Sequence, residues 1–446
     1  MAGIGWKLEA MLERDSLGSS VGVFLTGAAV TSGPWLLTTL VLVLMQISAV
    51  SSGAGLHDAQ AVITLVYATV IVLGAPVDIV LSRYTADRVY ERRPEQIVAP
   101  LRRTLAGCLV GFAAVGPVVM LVSGAPRALA VPGVALTVVV GAQWLLLSAA
   151  GGLSSPGIIL RAFLVGSPAS LIAALTLARP QLLGAPGYLY GFAAGQVVTL
   201  AMLLWGTLRA LPAEEDEGAR ILPAFRDYWL LGVATLAFHA SLWVDKLVVL
   251  AVRGGAAAAT YATLAAVAWL SVVPACAYVF VTVETALYRR FEAFDVALHR
   301  GAPMARLEAL AGDLRAEADR LLRGVIGVQG SVALIGLMVA PAVVAGLGLP
   351  GQAPCLRWLL VGASLQVLAV AATLLLHYFD FRSGALATAL TQLIATAVLT
   401  LLIGAPGIGY ALGCALACAV AIALVRRRLG RLIQHTFLSQ PYPAEE

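Results

Sequence analysis

Two pairs of charged residues stand at the ends of long apolar stretches, where a charge is costly. Asp78 precedes Arg83 by five residues, and Glu284 precedes Arg289 by the same interval. A carboxylate about one helical turn inside a membrane boundary loses solvation unless it is paired or reached by water. Two interpretations stay open for both pairs: a gate at the mouth of a passage, or a helix-end ion pair with a snorkelling arginine.

A second cluster of charge lies within an apolar stretch, where Asp245 and Lys246 follow Trp243. Neighbours in a helix do not face each other, so we expect each charge to have a different partner or to meet water. Charges within membrane spans usually face a bundle interior or an aqueous cavity. The alternative is a shallow position near the outer headgroups. Arg161 is a weaker candidate of the same kind.

No arrangement of side chains in the sequence is typical of an enzyme. The five histidines and five cysteines show no metal-ligand spacing. There is no phosphate-binding loop and no defensible pairing of a nucleophile with a base. We therefore predict neither a catalytic site, nor a metal site, nor a cofactor.

Composition decides the class of protein that carries these charges. The chain is 60% hydrophobic and 12% charged, with a mean hydropathy of +0.91, whereas soluble domains carry about 25% charged residues. Apolar runs of about 20 residues recur, the length that a helix needs to cross a bilayer. Runs such as 135–150 are apolar on every side, which argues against a barrel. We predict an all-α, polytopic membrane protein.

We predict twelve transmembrane helices, six on each side of an acidic segment near the middle of the chain. The predicted spans are 17–49, 59–82, 101–124, 127–150, 155–178, 186–210, 225–251, 257–287, 321–347, 355–378, 384–404 and 406–425. The predicted units are an interfacial helix (1–16), an N-terminal lobe (17–210), a cytoplasmic linker (211–223), a C-terminal lobe (224–430) and a tail (431–446). Within the first of these units, the amphipathic pattern itself covers residues 4–14, and the alternative interpretation is a frayed terminus. We expect no signal peptide.

Orientation follows from the basic residues. With an even number of spans both termini share one side, and most of the 29 Lys and Arg residues fall on that side. The loops of the other side carry Arg127, Arg179, Arg253 and Arg357. The positive-inside rule therefore places both termini in the cytoplasm. The same rule accounts for the net charge of +5, so nucleic-acid binding is not needed to explain it.

The longest predicted cytoplasmic excursion is 286–323, which we expect to form one cytoplasmic amphipathic helix within the C-terminal lobe. Leu307, Leu310 and Leu314 recur near heptad spacing, and Arg315 lies among the charged positions around them. One interpretation is a face that docks a cytoplasmic partner. The other is a connector that packs beneath the bundle.

Four segments resemble the PelG family, the inner-membrane component of the Pel exopolysaccharide system. They are Met1–Trp6, Ser32–Thr38, Ser82–Arg88 and Trp243–Lys246. The resemblance runs from the first residue to the last span. It implies a fold related to MATE-like and flippase-like transporters, with two six-helix lobes around a central cavity.

The resemblance also implies a function and partners. The expected activity is translocation of an N-acetylgalactosamine-rich exopolysaccharide across a bacterial inner membrane, in support of biofilm formation. The expected partners are a cytoplasmic glycosyltransferase, other Pel inner-membrane subunits including a cyclic di-GMP sensor, the polysaccharide and the bilayer. Two alternatives stay open: a scaffold that anchors and activates the synthase, and a cation-coupled multidrug antiporter.

Overall fold

The computed structural model describes residues 22, 37–45, 56–153, 156–179, 182–212 and 218–439, and within these ranges the chain is helical and contains no strand. In the N-terminal half, a helical segment at 37–45 precedes five long helices. These are α1 (His57–Tyr90), α2 (Val98–Val122), α3 (Arg127–Gly152), α4 (Pro156–Leu177) and α5 (Gly184–Ala210).

The C-terminal half begins with the short helix α6 (Leu222–Asp227). The helices that follow are α7 (Trp229–Arg253), α8 (Gly255–Leu270), α9 (Val273–Thr282), α10 (Tyr288–His299), α11 (Met304–Gly346), α12 (Ala353–Tyr378), α13 (Arg382–Ile403), α14 (Pro406–Leu429) and α15 (Leu432–Ser439). We call the membrane face at the C-terminal end of α1 and the N-terminal end of α7 the basic face, because arginines cluster there.

The predicted spans can be compared with these helices one by one. Within the described residues, ten helices are long and apolar enough to cross a membrane, or eleven if a bent pair counts as one span. Each of the second to twelfth predicted spans coincides with one of them. Only residues 22 and 37–45 of the first predicted span are described, so the count of twelve stays a prediction. The interfacial helix, linker residues 213–217 and tail residues 440–446 lie outside the described part.

Large apolar side chains cover the outside of the bundle. Leu121 is 82% exposed, Met338 is 80% exposed and Leu402 is 74% exposed. Patches of this kind mark contact with protein or membrane, and here they lie on helices of spanning length. The chain is a multi-pass membrane protein.

Each half has a core of its own. One continuous cluster in the C-terminal half extends from Val249 to Leu432 and includes Leu264, Leu314 and Leu375. Separate clusters fill the N-terminal half. A core that closes within each half allows the two halves to move as bodies.

The last two spanning helices of each half approach each other in the same way. A Cβ atom added at Gly191 of α5 would lie 2.5 Å from Ala174 Cα of α4, and one added at Gly409 of α14 would lie 2.5 Å from Thr400 Cα of α13. Small residues permit this backbone contact between membrane helices. Corresponding helices of the two halves therefore share the same kind of close backbone packing.

The eighth span is broken rather than straight. Its two parts, Gly255–Leu270 and Val273–His299, are bent by 43°, and Pro274 opens α9 just after the break. Further along, Val283–Leu287 forms a π-helical segment. Such segments often occur at functional sites, and this one contains Glu284.

The excursion at 286–323 is a helical hairpin and not one helix. Helix α10 ends at His299, and α11 begins at Met304 and continues into the next span. Gly301, with a φ of +67°, makes the turn between them. The prediction of a single amphipathic helix is corrected here, because leucine spacing does not reveal the glycine turn upstream of it.

Candidate functional site

The two halves meet along a surface that we call the seam, formed by α1 and α3 on one side and by α7 and α8 on the other. A Cβ atom at Gly232 would lie 3.6 Å from Pro76 Cβ, so α7 and α1 nearly touch. Further along, Trp243, Lys246 and Thr64 help to line a cavity of about 30 Å³. That volume is on the scale of a single water molecule. Around Trp243 and Lys246 the seam is therefore closed to any molecule larger than water.

Asp245 and Lys246 form an ion pair next to the seam. Lys246 Nζ lies 3.1 Å and 3.2 Å from the two carboxylate oxygens of Asp245, and it also donates to the Leu242 carbonyl at 2.9 Å. The expectation that the neighbours do not meet is wrong. The long lysine chain folds back by one turn toward the Leu242 carbonyl and brings its ammonium group to the carboxylate.

The Asp245 carboxylate is held from a second helix. It is fully buried, and Tyr261 of α8 donates to it at 2.8 Å. Lys246 Nζ lies 5.5 Å from the centre of the Tyr410 ring, and the Tyr410 hydroxyl donates to Gln366 Oε1. These contacts join α7 to α8, α12 and α14. They fit the inter-helix interpretation and not a shallow position near the headgroups.

Sequence reasoning did not single out His239, a residue of the seam. His239 of α7 packs edge to face against Trp144 of α3, with ring centres 6.3 Å apart. Trp144 Nε1 is buried and has no hydrogen-bond partner in the described part of the chain. The available signal was spacing along α7, because His239 and Trp243 are four residues apart and share a helix face.

At the basic face, a hydrogen bond joins the two halves. Tyr228 donates to Asp87 Oδ2 at 2.8 Å. Arg382 covers the Tyr228 ring at 5.4 Å and donates to the Asp227 carbonyl at 3.3 Å. Burial, followed by the adjacent Asp87 carboxylate, raises the pKa of Tyr228. The phenol therefore stays protonated and available as the donor.

The predicted pair in α1 does not form. Asp78 is half-buried, Arg83 is exposed, and no ion pair joins these two side chains, both of which are described. The reason is helix geometry, because residues five apart point about 140° away from each other. The ion-pair interpretation is corrected for this position, and the gate interpretation of Asp78 stays a prediction.

The remaining span charges lie apart from the seam ion pair. Glu284 is half-buried in the π segment, and Arg289 is exposed in the first turn of α10. Arg161 is exposed near the start of α4, where a snorkelling side chain is common. The structure does not bring these three side chains into one cluster with Asp245 and Lys246.

The proposed docking residues pack inside the chain. Leu307 and Leu314 are buried, and Leu310 packs against the same core. Arg315 donates to the Leu429 carbonyl at 2.6 Å and to the Gly430 carbonyl at 3.1 Å, at the end of α14. Each of these residues is engaged within its own half, and docking of a cytoplasmic partner through them stays a prediction. The connector interpretation fits these contacts.

No group of three or more His, Cys, Asp or Glu side chains able to hold a metal ion occurs among the described residues.

Comparison with known proteins identifies the family of this chain. The family model of PelG, described as "Putative exopolysaccharide Exporter (EPS-E)", matches residues 1–437. The chain belongs to the PelG family. No curated protein matches it. The family match confirms the resemblance that four short segments suggested. Of those segments, Ser82–Arg88 includes Asp87, which bonds across the halves, and Trp243–Lys246 lies along the seam.

Solved structures show the fold of this PelG-family chain. It is similar to an inward-facing multidrug resistance MATE family transporter of the MOP superfamily, with a TM-score of 0.66 and 14% identity, over 92% of this chain and 98% of that one. An outward-facing structure of the same description has a TM-score of 0.65 and 16% identity, over 92% of this chain and 96% of that one. A MOP superfamily transporter from Pyrococcus furiosus has a TM-score of 0.58 and 15% identity, over 91% of this chain and 98% of that one. The TM-scores establish a MATE-like fold, and at such low sequence identities the comparison shows the fold alone.

The PelG-family seam brings aromatic rings, an imidazole and a buried ion pair together between two separately packed halves.

Proposed function

We propose that this PelG-family chain carries a Pel-type, N-acetylgalactosamine-rich exopolysaccharide across the bacterial inner membrane, with both termini in the cytoplasm. The polymer passes between the two halves and is received from a cytoplasmic glycosyltransferase. The proposed assembly includes the other Pel inner-membrane subunits, one of them a cyclic di-GMP sensor. One observation carries the proposal: in a family of exopolysaccharide exporters, the α7 face at the seam holds His239, Trp243 and Lys246 in succession.

The chemistry of this face suits a sugar chain. Residues four apart on a helix are separated by about 6 Å along its axis, a distance on the scale of one sugar ring. Indole faces take the apolar side of a pyranose. Trp144 Nε1, which is buried without a partner in the described structure, adds an N–H group on the opposite side of the seam.

Translocation by this route needs the halves to separate. A cavity of about 30 Å³ at the seam is too small for a sugar residue. The two halves have independent cores, so separation breaks seam contacts without unpacking either half. The Tyr228–Asp87 bond is one contact that must open at the basic face.

The test uses inverted membrane vesicles that contain this chain and its glycosyltransferase. Labelled UDP-N-acetylgalactosamine is supplied, and the fraction of polymer protected from an added hydrolase is measured. We expect protection that depends on this chain. Polymer that forms in normal amounts but stays exposed would contradict the proposal and favour the scaffold function.

Single substitutions then locate the path. Trp243→Ala is expected to lower protection while the amount of polymer made per glycosyltransferase stays constant. Trp205→Ala is the matched control, because Trp205 of α5 is 58% exposed and lies beneath Arg209 instead of at the seam. An equal loss of protection in both variants would contradict a path along α7.

A further inference from the structure

A second cavity, of about 630 Å³, opens in the C-terminal half at the face opposite the basic face. We call it the vestibule. It is bounded by the end of α7, the start of α8, the start of α12 and the loop between α13 and α14. Ligand pockets in proteins typically measure about 300–1,000 Å³. The vestibule belongs wholly to one half, so it is separate from the closed seam.

The lining of the vestibule combines an accessible indole with a few polar groups. Trp358 is 41% exposed, and Gln352 and Thr260 of the same lining are half-buried. An aromatic face next to an amide and a hydroxyl is the combination that a pyranose needs. The ring of Trp358 takes the apolar C–H face, and the amide and hydroxyl exchange hydrogen bonds with sugar hydroxyls.

The rim and the floor of the vestibule are both fixed by hydrogen bonds. Arg253, at the end of α7, donates to the Gly404 carbonyl in the loop between α13 and α14. On the floor, Tyr261 lines the cavity and donates to Asp245 at 2.8 Å. Asp245 in turn binds Lys246, which lines the seam. A ligand that contacts Tyr261 is therefore two hydrogen bonds away from the seam.

We propose that the vestibule binds one N-acetylhexosamine unit of the exported polymer, with the sugar ring stacked on Trp358. The identity of the sugar rests on the proposed function. The binding site itself rests on the cavity and its lining. It gives the polymer a holding point on the far side of the membrane after it leaves the seam.

The test is a binding measurement on the full chain in lipid nanodiscs prepared without sugar-based detergent. The probe is a short N-acetylgalactosamine oligosaccharide, and saturation-transfer NMR and calorimetry report its binding. We expect Trp358→Ala to weaken binding by roughly fivefold or more, because the stacking partner is lost. Trp358→Phe, which keeps an aromatic ring, is expected to restore part of the affinity.

Trp229→Ala is the matched control, since Trp229 is 63% exposed at the opposite membrane face. Equal affinity of the Trp358→Ala variant and the unmodified chain, or no binding by the unmodified chain, would overturn the proposal. Thermal unfolding of each variant shows that it is folded, and Gln352→Ala supplies a second, milder change in the same lining. If the chain binds the oligosaccharide but does not protect the polymer in vesicles, export is contradicted and the vestibule site is supported. If the chain protects the polymer but does not bind the oligosaccharide, only the vestibule site is contradicted.

Discussion

Replacing Lys246 with methionine tests whether the ion pair next to the seam holds the C-terminal half together. The substitution keeps most of the side-chain volume and removes the charge. Asp245, which is fully buried, then retains only the Tyr261 hydroxyl among its described partners. Breaking a buried pair by removing one partner costs about 3–5 kcal/mol. We expect a loss of free energy of unfolding in that range.

The reciprocal substitution is expected to cost less. Asp245→Asn keeps an oxygen for the Tyr261 hydroxyl, and Lys246 retains the Leu242 carbonyl and the Tyr410 ring. The lysine side chain is also 12% exposed, whereas the carboxylate is not exposed. Loss of one charged hydrogen bond of this kind costs about 1.5–3 kcal/mol.

The assay is unfolding of the purified chain in mixed micelles by SDS titration, for both single variants and the double variant. We expect the double variant to be more stable than the sum of the single losses implies, by about 0.5–3 kcal/mol, because the two side chains interact. Wild-type stability of Lys246→Met would refute the reasoning. It would mean that the lysine does not stabilise the Asp245 carboxylate.

Two other substitutions test other parts of the fold. Tyr228→Phe removes the donor to Asp87 and should weaken contact between the halves at the basic face by about 1.5–3 kcal/mol. Faster labelling of a cysteine introduced at the basic face would show this weakening. Unchanged labelling would argue that the hydrogen bond does not join the halves. Gly191→Ala should destabilise the chain by about 1–3 kcal/mol, because the new Cβ meets Ala174 Cα at 2.5 Å, whereas Gly107→Ala, with open space, is the control for the same unfolding measurement.

The positions of the spans were predictable because a bilayer fixes the length and the apolar character of a helix. Each of the second to twelfth predicted spans coincides with a helix of the structure, although some helices run well beyond the predicted bounds, and the acidic segment at 211–223 falls between the halves in sequence. The family was also predictable, because short segments such as Trp243–Lys246 resemble it closely. The residues at 1–16 and most of 17–49 lie outside the described part, so their predictions stay as they were.

Contacts between helices were less accessible to sequence reasoning. Spacing showed that Asp245 and Lys246 are neighbours, but only packing shows that the lysine folds back to meet the carboxylate. His239 and Trp144 are 95 positions apart and meet only because α7 lies against α3. The leucines of α11 do form an apolar stripe, as their spacing predicts. Their spacing does not show that the stripe packs against the core of its own half.

The central claim is that the polymer passes between the two halves, and a reversible cross-link across the seam tests it most directly. Ala61 of α1 and Leu250 of α7 line the same small cavity, so both are replaced by cysteine in a chain whose five native cysteines are removed. Each single-cysteine variant, oxidised in the same way, is the control. We predict that oxidation abolishes protection of the polymer in inverted vesicles and that reduction restores it. Full protection by the cross-linked chain would contradict the account.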